Sequence, residues 1–162
     1  MNDTHGASGQ GWYGFDLDGT LAVYDRWRGI DHIGEPIKPM VDLIKRMHEE
    51  NKVVKILTAR VVPRLCGETH ATGCKCGHCE AEASKPPVMQ EQYLVELGED
   101  GMTVKRRASD YIRDWCAANI GFVPEITHAK DHLMLSLFDD RVVQVELNTG
   151  KILGRLPSEL EK

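Results

Sequence analysis

Apolar and polar positions along the chain follow two periods. Val53-Val54-Lys55-Ile56-Leu57 is a β-branched run of strand length, and Leu133 to Phe138 is another. Trp12-Tyr13-Gly14-Phe15 reads as a short strand running into Asp16. Ile37, Met40, Val41, Ile44 and Met47 instead recur at helical spacing, with Lys45, Arg46, Glu49 and Glu50 polar. Pro39 suits the first turn of that helix, where its missing N–H costs nothing, and Asn51 is a plausible stop. A second helix is expected at 105–120, with Ala108, Tyr111, Ile112, Trp115 and Ile120 on one face and Gly121 as its stop. A short helix is expected at 88–97 and a weak strand from Val123 to Thr127. Val142–Leu147 and Lys151–Leu156 read as two strands around Asn148-Thr149-Gly150. Residues 19–35 read as a loop or small hairpin flap, and residues 1–11 as a loose tail. The stretch 61–87 breaks the pattern, being rich in Cys, Gly and His.

Strands alternating with helices predict an α/β domain with a parallel sheet and helices on both faces, in the Rossmann manner. A small Cys-rich insert at 61–104 and a C-terminal β-hairpin complete the expected architecture, a single domain over 1–162. Ligands of such sheets bind beyond the carboxyl ends of the strands. Three predicted strand ends carry suggestive residues: Asp16, Thr58 and Asp139.

Composition narrows the partners. The 162 residues are 41% hydrophobic, and 20 Lys plus Arg against 25 Asp plus Glu give a formal charge of −5. That argues against a broad nucleic-acid surface or a polybasic membrane anchor. No apolar run reaches membrane-spanning length, and residues 1–11 lack the apolar stretch of a secretory leader. The expected address is the cytoplasm, where thiols stay reduced.

Phe15-Asp16-Leu17-Asp18-Gly19-Thr20-Leu21 is the most informative segment. Two carboxylates two residues apart follow an apolar strand and flank a turn supplied by Gly19. One Asp can attack an electrophile while the other handles protons. An Asp-rich turn with no chemistry is the plain reading of a bare pair; the longer string weighs against it. A phosphoryl group is anionic, so an anionic nucleophile needs charge screening. Mg²⁺ prefers oxygen ligands and bridges carboxylates to phosphate. Asp16, Asp139, Asp140 and the backbone carbonyl of Asp18 form a candidate Mg²⁺ site.

The segment resembles the first motif of the haloacid-dehalogenase-like (HAD) phosphohydrolases, D-x-D-G-T, and further signals follow in that family's order. Thr58 looks like the second-motif hydroxyl that binds the transferring phosphate. Lys130, in His128-Ala129-Lys130-Asp131, is similar to the third-motif lysine that neutralises phosphate charge. Phe138-Asp139-Asp140 looks like the fourth motif, whose acids hold Mg²⁺. The resemblance spans residues 16–140. It implies that Asp16 forms an aspartyl-phosphate, while Asp18 protonates the leaving oxygen and then activates water. The short spacing from Lys130 to Asp139 resembles the small deoxynucleotidase-like branch; Lys85, in Ser84-Lys85-Pro86, is the competitor.

Arg60, two residues past Thr58, is either a surface residue or a guanidinium fork on the substrate phosphate, and polynucleotide phosphatases of this family have a similarly placed arginine. It is taken as phosphate-binding, whereas Arg141 is left unassigned.

Four of the five cysteines, Cys66, Cys74, Cys76 and Cys79, fall close together with His70 and His78 among them. In a reduced compartment such a cluster reads as a structural Zn²⁺ site before it reads as disulfides. Four Cys is the simplest ligand set, and His70 in place of one is the alternative. The spacing loosely resembles the Cys/His loop of zinc-binding heptose bisphosphate phosphatases. Cys116, beside Trp115 on an apolar helix face, reads as a small buried hydrophobe.

The sequence therefore predicts a Mg²⁺-dependent phosphomonoester hydrolase with structural Zn²⁺. The expected substrate is a nucleotide or a nucleic-acid-end phosphate. A sugar-phosphate phosphatase and a non-catalytic binding module using the zinc loop are the alternatives.

Overall fold

A computed structural model of the chain describes residues 10–65, 89–98 and 100–154. The tail to residue 9 and the whole Cys cluster, with Lys85, lie outside the described residues.

Strand β1 (Trp12–Phe15) leads through the flap to helix α1 (Lys38–Glu49) and strand β2 (Val53–Leu57). Pro39 occupies the first turn of α1, and Val41 and Ile44 are its buried residues. The helix stops where Asn51 turns left-handed, at φ 59°. A short 3₁₀ turn (Ala59–Val61) follows β2. The chain then forms the two-residue strands β3 (Arg64–Leu65) and β4 (Met89–Gln90), which pair antiparallel.

Residues 93–107 depart from expectation. The helix expected at 88–97 is instead a strand, β5 (Tyr93–Leu97), paired antiparallel with β6 (Thr103–Arg107). The physical reason lies in the connection. Gly101 takes a φ of +78°, and the Gly98 N–H donates to the Met102 carbonyl at 2.7 Å. A tight turn between two strand-forming runs outweighs the helical spacing of the apolar residues in one of them. Helix α2 (Ala108–Asn119) consequently begins three residues later than expected. Of its free N-terminal donors, the Ala108 N–H is met by the Gln92 carbonyl at 2.9 Å and the Ser109 N–H by the Glu91 carboxylate, which also accepts from the Ser109 hydroxyl at 3.0 Å. Gly121, at φ +91°, ends it as expected.

Strands β7 (Glu125–Thr127) and β8 (Met134–Phe138) complete a four-stranded, all-parallel sheet in the order β7-β2-β1-β8. The α/β class with a parallel sheet is therefore as the sequence indicated. Helices on both faces are not found among the described residues. Val41 and Ile44 of α1 and Ile112 and Cys116 of α2 join one buried cluster with Phe15 and Ile56. The connections from β1 to β2 to β7 move the same way across the sheet, and the right-handed sense that parallel crossovers take then puts both helices on one face. The Cys116 thiol is pushed up to about 12 by burial, in keeping with an inert core residue.

The expected terminal strands are also absent from the described residues. A single bridge, Val145 to Ile152, closes a turn in which Asn148 and Gly150 have positive φ. Leu147 and Val145 are exposed there, so no buried face rewards further pairing.

Candidate active site

The register of the sheet assembles the site. Phe15 of β1 lies opposite Ile56 of β2 and Phe138 of β8, and the Phe15 and Phe138 rings stack at 4.6 Å. Because the strands run parallel, Asp16, Thr58 and Asp139 emerge together at the carboxyl edge. The Asp16 N–H donates to the Phe138 carbonyl at 2.9 Å, and the Thr58 N–H to the Thr127 carbonyl at 2.9 Å, so backbone bonds fix both positions.

The turn after Asp16 is tight. Leu21 and Ala22 both donate to the Leu17 carbonyl, and Gly19 donates to Ala22. Gly19 has a φ of +91°, and a Cβ there would lie 2.6 Å from the Asp140 carboxylate. The positive φ favours glycine at that position of the DLDGT string, and a side chain there would also have to displace the Asp140 carboxylate. Buried Thr20 accepts the Asp140 N–H at 3.1 Å, tying this turn to the end of β8.

Carboxylate oxygens of Asp16, Asp139 and Asp140 lie within 4.8 Å of one another. Burial, above all, pushes Asp16 up from 3.8 to about 7, followed by the charge of Asp139 and then those of Asp18 and Asp140; the Leu17 N–H pulls the other way. Three converging carboxylates in a half-buried site fit a divalent cation, and an all-oxygen donor set fits Mg²⁺.

A cavity of about 320 Å³ opens over this edge and is lined by Asp16, Asp18, Thr58, Arg60 and Asp139 among others. Thr58 is buried and caps the 3₁₀ turn by accepting the Arg60 N–H at 3.3 Å, which leaves its hydroxyl proton for an acceptor in the cavity. Five of the sequence-derived residues thus share one wall: Asp16, Asp18, Thr58, Arg60 and Asp139. Asp140 joins through the acid cluster.

Lys130 is not among the lining residues. It is exposed in the connection between β7 and β8, and its neighbour Asp131 accepts the indole N–H of Trp12 at 2.8 Å, at the first residue of β1. Arg60 is placed as expected, but its side chain is turned to Asp18 and to the flap. Five further residues line the cavity that the sequence did not single out for it: Tyr24 and Trp27 from the flap, Ala59 between Thr58 and Arg60, Gln92 just before β5, and Arg141. Arg141 was the readable one, since it directly follows the acid pair. Gln92 carried no signal, because its stretch has the apolar spacing of a helix.

Compared with known proteins, the chain matches no family model, no curated protein and no solved structure. Among the described residues no helix is long and apolar enough to cross a membrane.

Proposed function

We propose that the chain is a Mg²⁺-dependent phosphomonoester hydrolase of the HAD type, with Asp16 as nucleophile. The observation that carries this reading is the convergence of Asp16, Asp139 and Asp140 at the carboxyl edge of a parallel sheet, facing a cavity that Thr58 also lines. Asp16, Asp139 and Asp140 would hold Mg²⁺, which supplies charge neutralisation for an anionic substrate meeting an anionic nucleophile.

In this reading an Asp16 oxygen attacks phosphorus and the ester oxygen leaves, giving an aspartyl-phosphate. The departing oxygen takes its proton from water, and Asp18, whose two oxygens accept from Arg60, takes a proton from the water that hydrolyses the intermediate and returns it to solvent. Thr58 donates its hydroxyl to a phosphate oxygen. Arg141 takes the cationic role for which Lys130 was expected: it lines the cavity, its side chain is 68% exposed, and its Nε lies 3.8 Å from an Asp140 carboxylate oxygen. Positioning and electrostatics of this kind account for most of phosphoryl-transfer catalysis.

The proposed substrates are nucleotides or nucleic-acid-end phosphates. Tyr24 and Trp27 line the same cavity as the acids, and Trp27 is half exposed, so a planar base has rings to stack on. Phosphate release from a panel of nucleotides, sugar phosphates and phosphorylated oligonucleotide ends, with and without Mg²⁺, tests the proposal. Release from sugar phosphates alone would move the substrate class, and release from none would remove the activity.

A further inference from the structure

Arginine has five N–H donors, and the structure gives Arg60 a partner for each. Nε donates to Asp18 Oδ2 at 2.6 Å and Nη2 to Asp18 Oδ1 at 2.7 Å, a two-pronged contact. Nη2 also donates to the His32 carbonyl at 2.9 Å. Nη1 faces the Gly29 and Ile30 carbonyls at 3.3 and 3.5 Å. The residue is 6% exposed.

A guanidinium that grips a substrate phosphate turns two donors towards it. Arg60 has none to spare. Turning away would leave Asp18 half-buried without its counter-charge and would strand three carbonyls, each a costly loss in a dry environment. The commitment is therefore structural in origin, and it joins two parts of the site. One is Asp18, the proton-handling carboxylate. The other is the flap, since residues 29, 30 and 32 lie a few positions after Tyr24 and Trp27. The flap is held at further points: the Trp27 ring lies 4.9 Å from Arg60 Cζ, the Trp115 indole donates to the Gly34 carbonyl at 2.9 Å, and Val23 donates to the Glu35 carbonyl at 2.8 Å. Gly29, at φ +120°, supplies the backbone turn that bends this segment past the guanidinium.

We propose that Arg60 is a positioning residue: it fixes the Asp18 carboxylate and fastens the flap over the cavity, and it does not bind the substrate's phosphate. Its kinetic consequences rest on the phosphatase reading above, whereas the fastening of the flap does not.

The test uses the full chain and Arg60→Lys, which keeps a charge but cannot make the forked contact. Hydrogen exchange of the segment 23–35 is followed by mass spectrometry, with α1 as internal reference. In Arg60→Lys the flap should exchange about tenfold faster while α1 stays within about twofold of the parent. In the parent, saturating inorganic phosphate should not speed flap exchange, because Arg60 keeps its carbonyls. With a substrate the parent hydrolyses, kcat should fall about tenfold or more while KM and the inhibition constant of inorganic phosphate stay within about threefold. Unchanged flap exchange in Arg60→Lys overturns the fastening. Faster flap exchange in the parent on adding phosphate, or a tenfold weaker phosphate inhibition in Arg60→Lys at unchanged kcat, makes Arg60 a phosphate ligand and overturns the positioning role. If Arg60→Lys loses protection everywhere, α1 included, the phosphate arm on the parent decides alone. A parent that hydrolyses nothing defeats the phosphatase reading, and the exchange comparison still decides what Arg60 fastens.

Discussion

Arg60 holds both carboxylate oxygens of Asp18, at 2.6 and 2.7 Å, with the guanidinium almost fully buried. The two residues come from different strand ends: Asp18 follows β1 and Arg60 follows β2. Their pairing locks the turn of the DLDGT string to the 3₁₀ turn after Thr58. Removing one member leaves the other charge without a partner away from water, and such losses typically cost about 3–5 kcal/mol. Arg60→Met should therefore destabilise the chain by about 3 kcal/mol, and the double change with Asp18→Asn should recover a large part of that. Urea unfolding of the three variants and the parent measures the cycle. Additive losses would mean that the pair contributes little.

Gly19 offers a second test of the same turn. Any Cβ at this position meets the Asp140 carboxylate at 2.6 Å and must adopt a φ of +91°. Gly19→Ala should cost about 1–3 kcal/mol of stability and should push Asp140 away from Asp16. The expected outcome is a lower melting temperature together with weaker Mg²⁺ activation. A variant that melts like the parent would show that the turn relaxes without strain.

The acid cluster was legible in the sequence because an apolar run that stops at an acid marks both the strand and its end. Phe15-Asp16 and Phe138-Asp139 each have that form, and parallel register then brings them level. Thr58 was legible for the same reason. The Asp18–Arg60 fork was not, because nothing in the two local strings says which way a side chain turns after a tight bend. Arg60 thus looked like a free guanidinium. Lys130 showed the converse: closeness to Asp139 in sequence suggested closeness in space, whereas four residues later the chain enters β8 at its far end, beside Trp12. The β5–β6 hairpin was missed because Tyr93, Leu94 and Leu97 have helical spacing, and only the turn at Gly98–Gly101 argues otherwise.

Asp16 links the cluster to pH. Its carboxyl holds a proton up to about pH 7 in the folded chain against 3.8 as a free group. A raised carboxyl favours the folded state while it is protonated, and that contribution is lost as pH rises through about 7. The rise from 3.8 to about 7 sets a ceiling of about 4 kcal/mol, less whatever water screens. In a chelator, the parent should lose stability relative to Asp16→Asn between about pH 4 and pH 7, the interval between the free and the folded value. Millimolar Mg²⁺ should restore it at the upper end, because a cation replaces the proton. A stability difference that is flat in pH would mean that the three acids do not face each other as described.

The cysteine cluster makes an independent prediction. Cys66, Cys74, Cys76 and Cys79 should hold about one Zn²⁺ per chain, a closed set with no open position for substrate. Cys76→Ser should lower zinc content and melting temperature more than it lowers turnover at saturating substrate. Metal analysis of the purified chain checks the first claim directly, and absence of zinc with an unchanged melting curve would contradict it.

The central claim is that Asp16 attacks phosphorus, and Asp16→Asn tests it most directly. The amide keeps the shape of the carboxylate but cannot act as the nucleophile. Phosphate release from the parent's best substrate should be measured in Mg²⁺ for both chains, with melting curves alongside. The account predicts robust release by the parent and less than about 1% of it by Asp16→Asn, with the variant still unfolding cooperatively. A folded Asp16→Asn that retains a tenth or more of the parent's rate, or a parent that releases no phosphate from any ester in the panel, would contradict it.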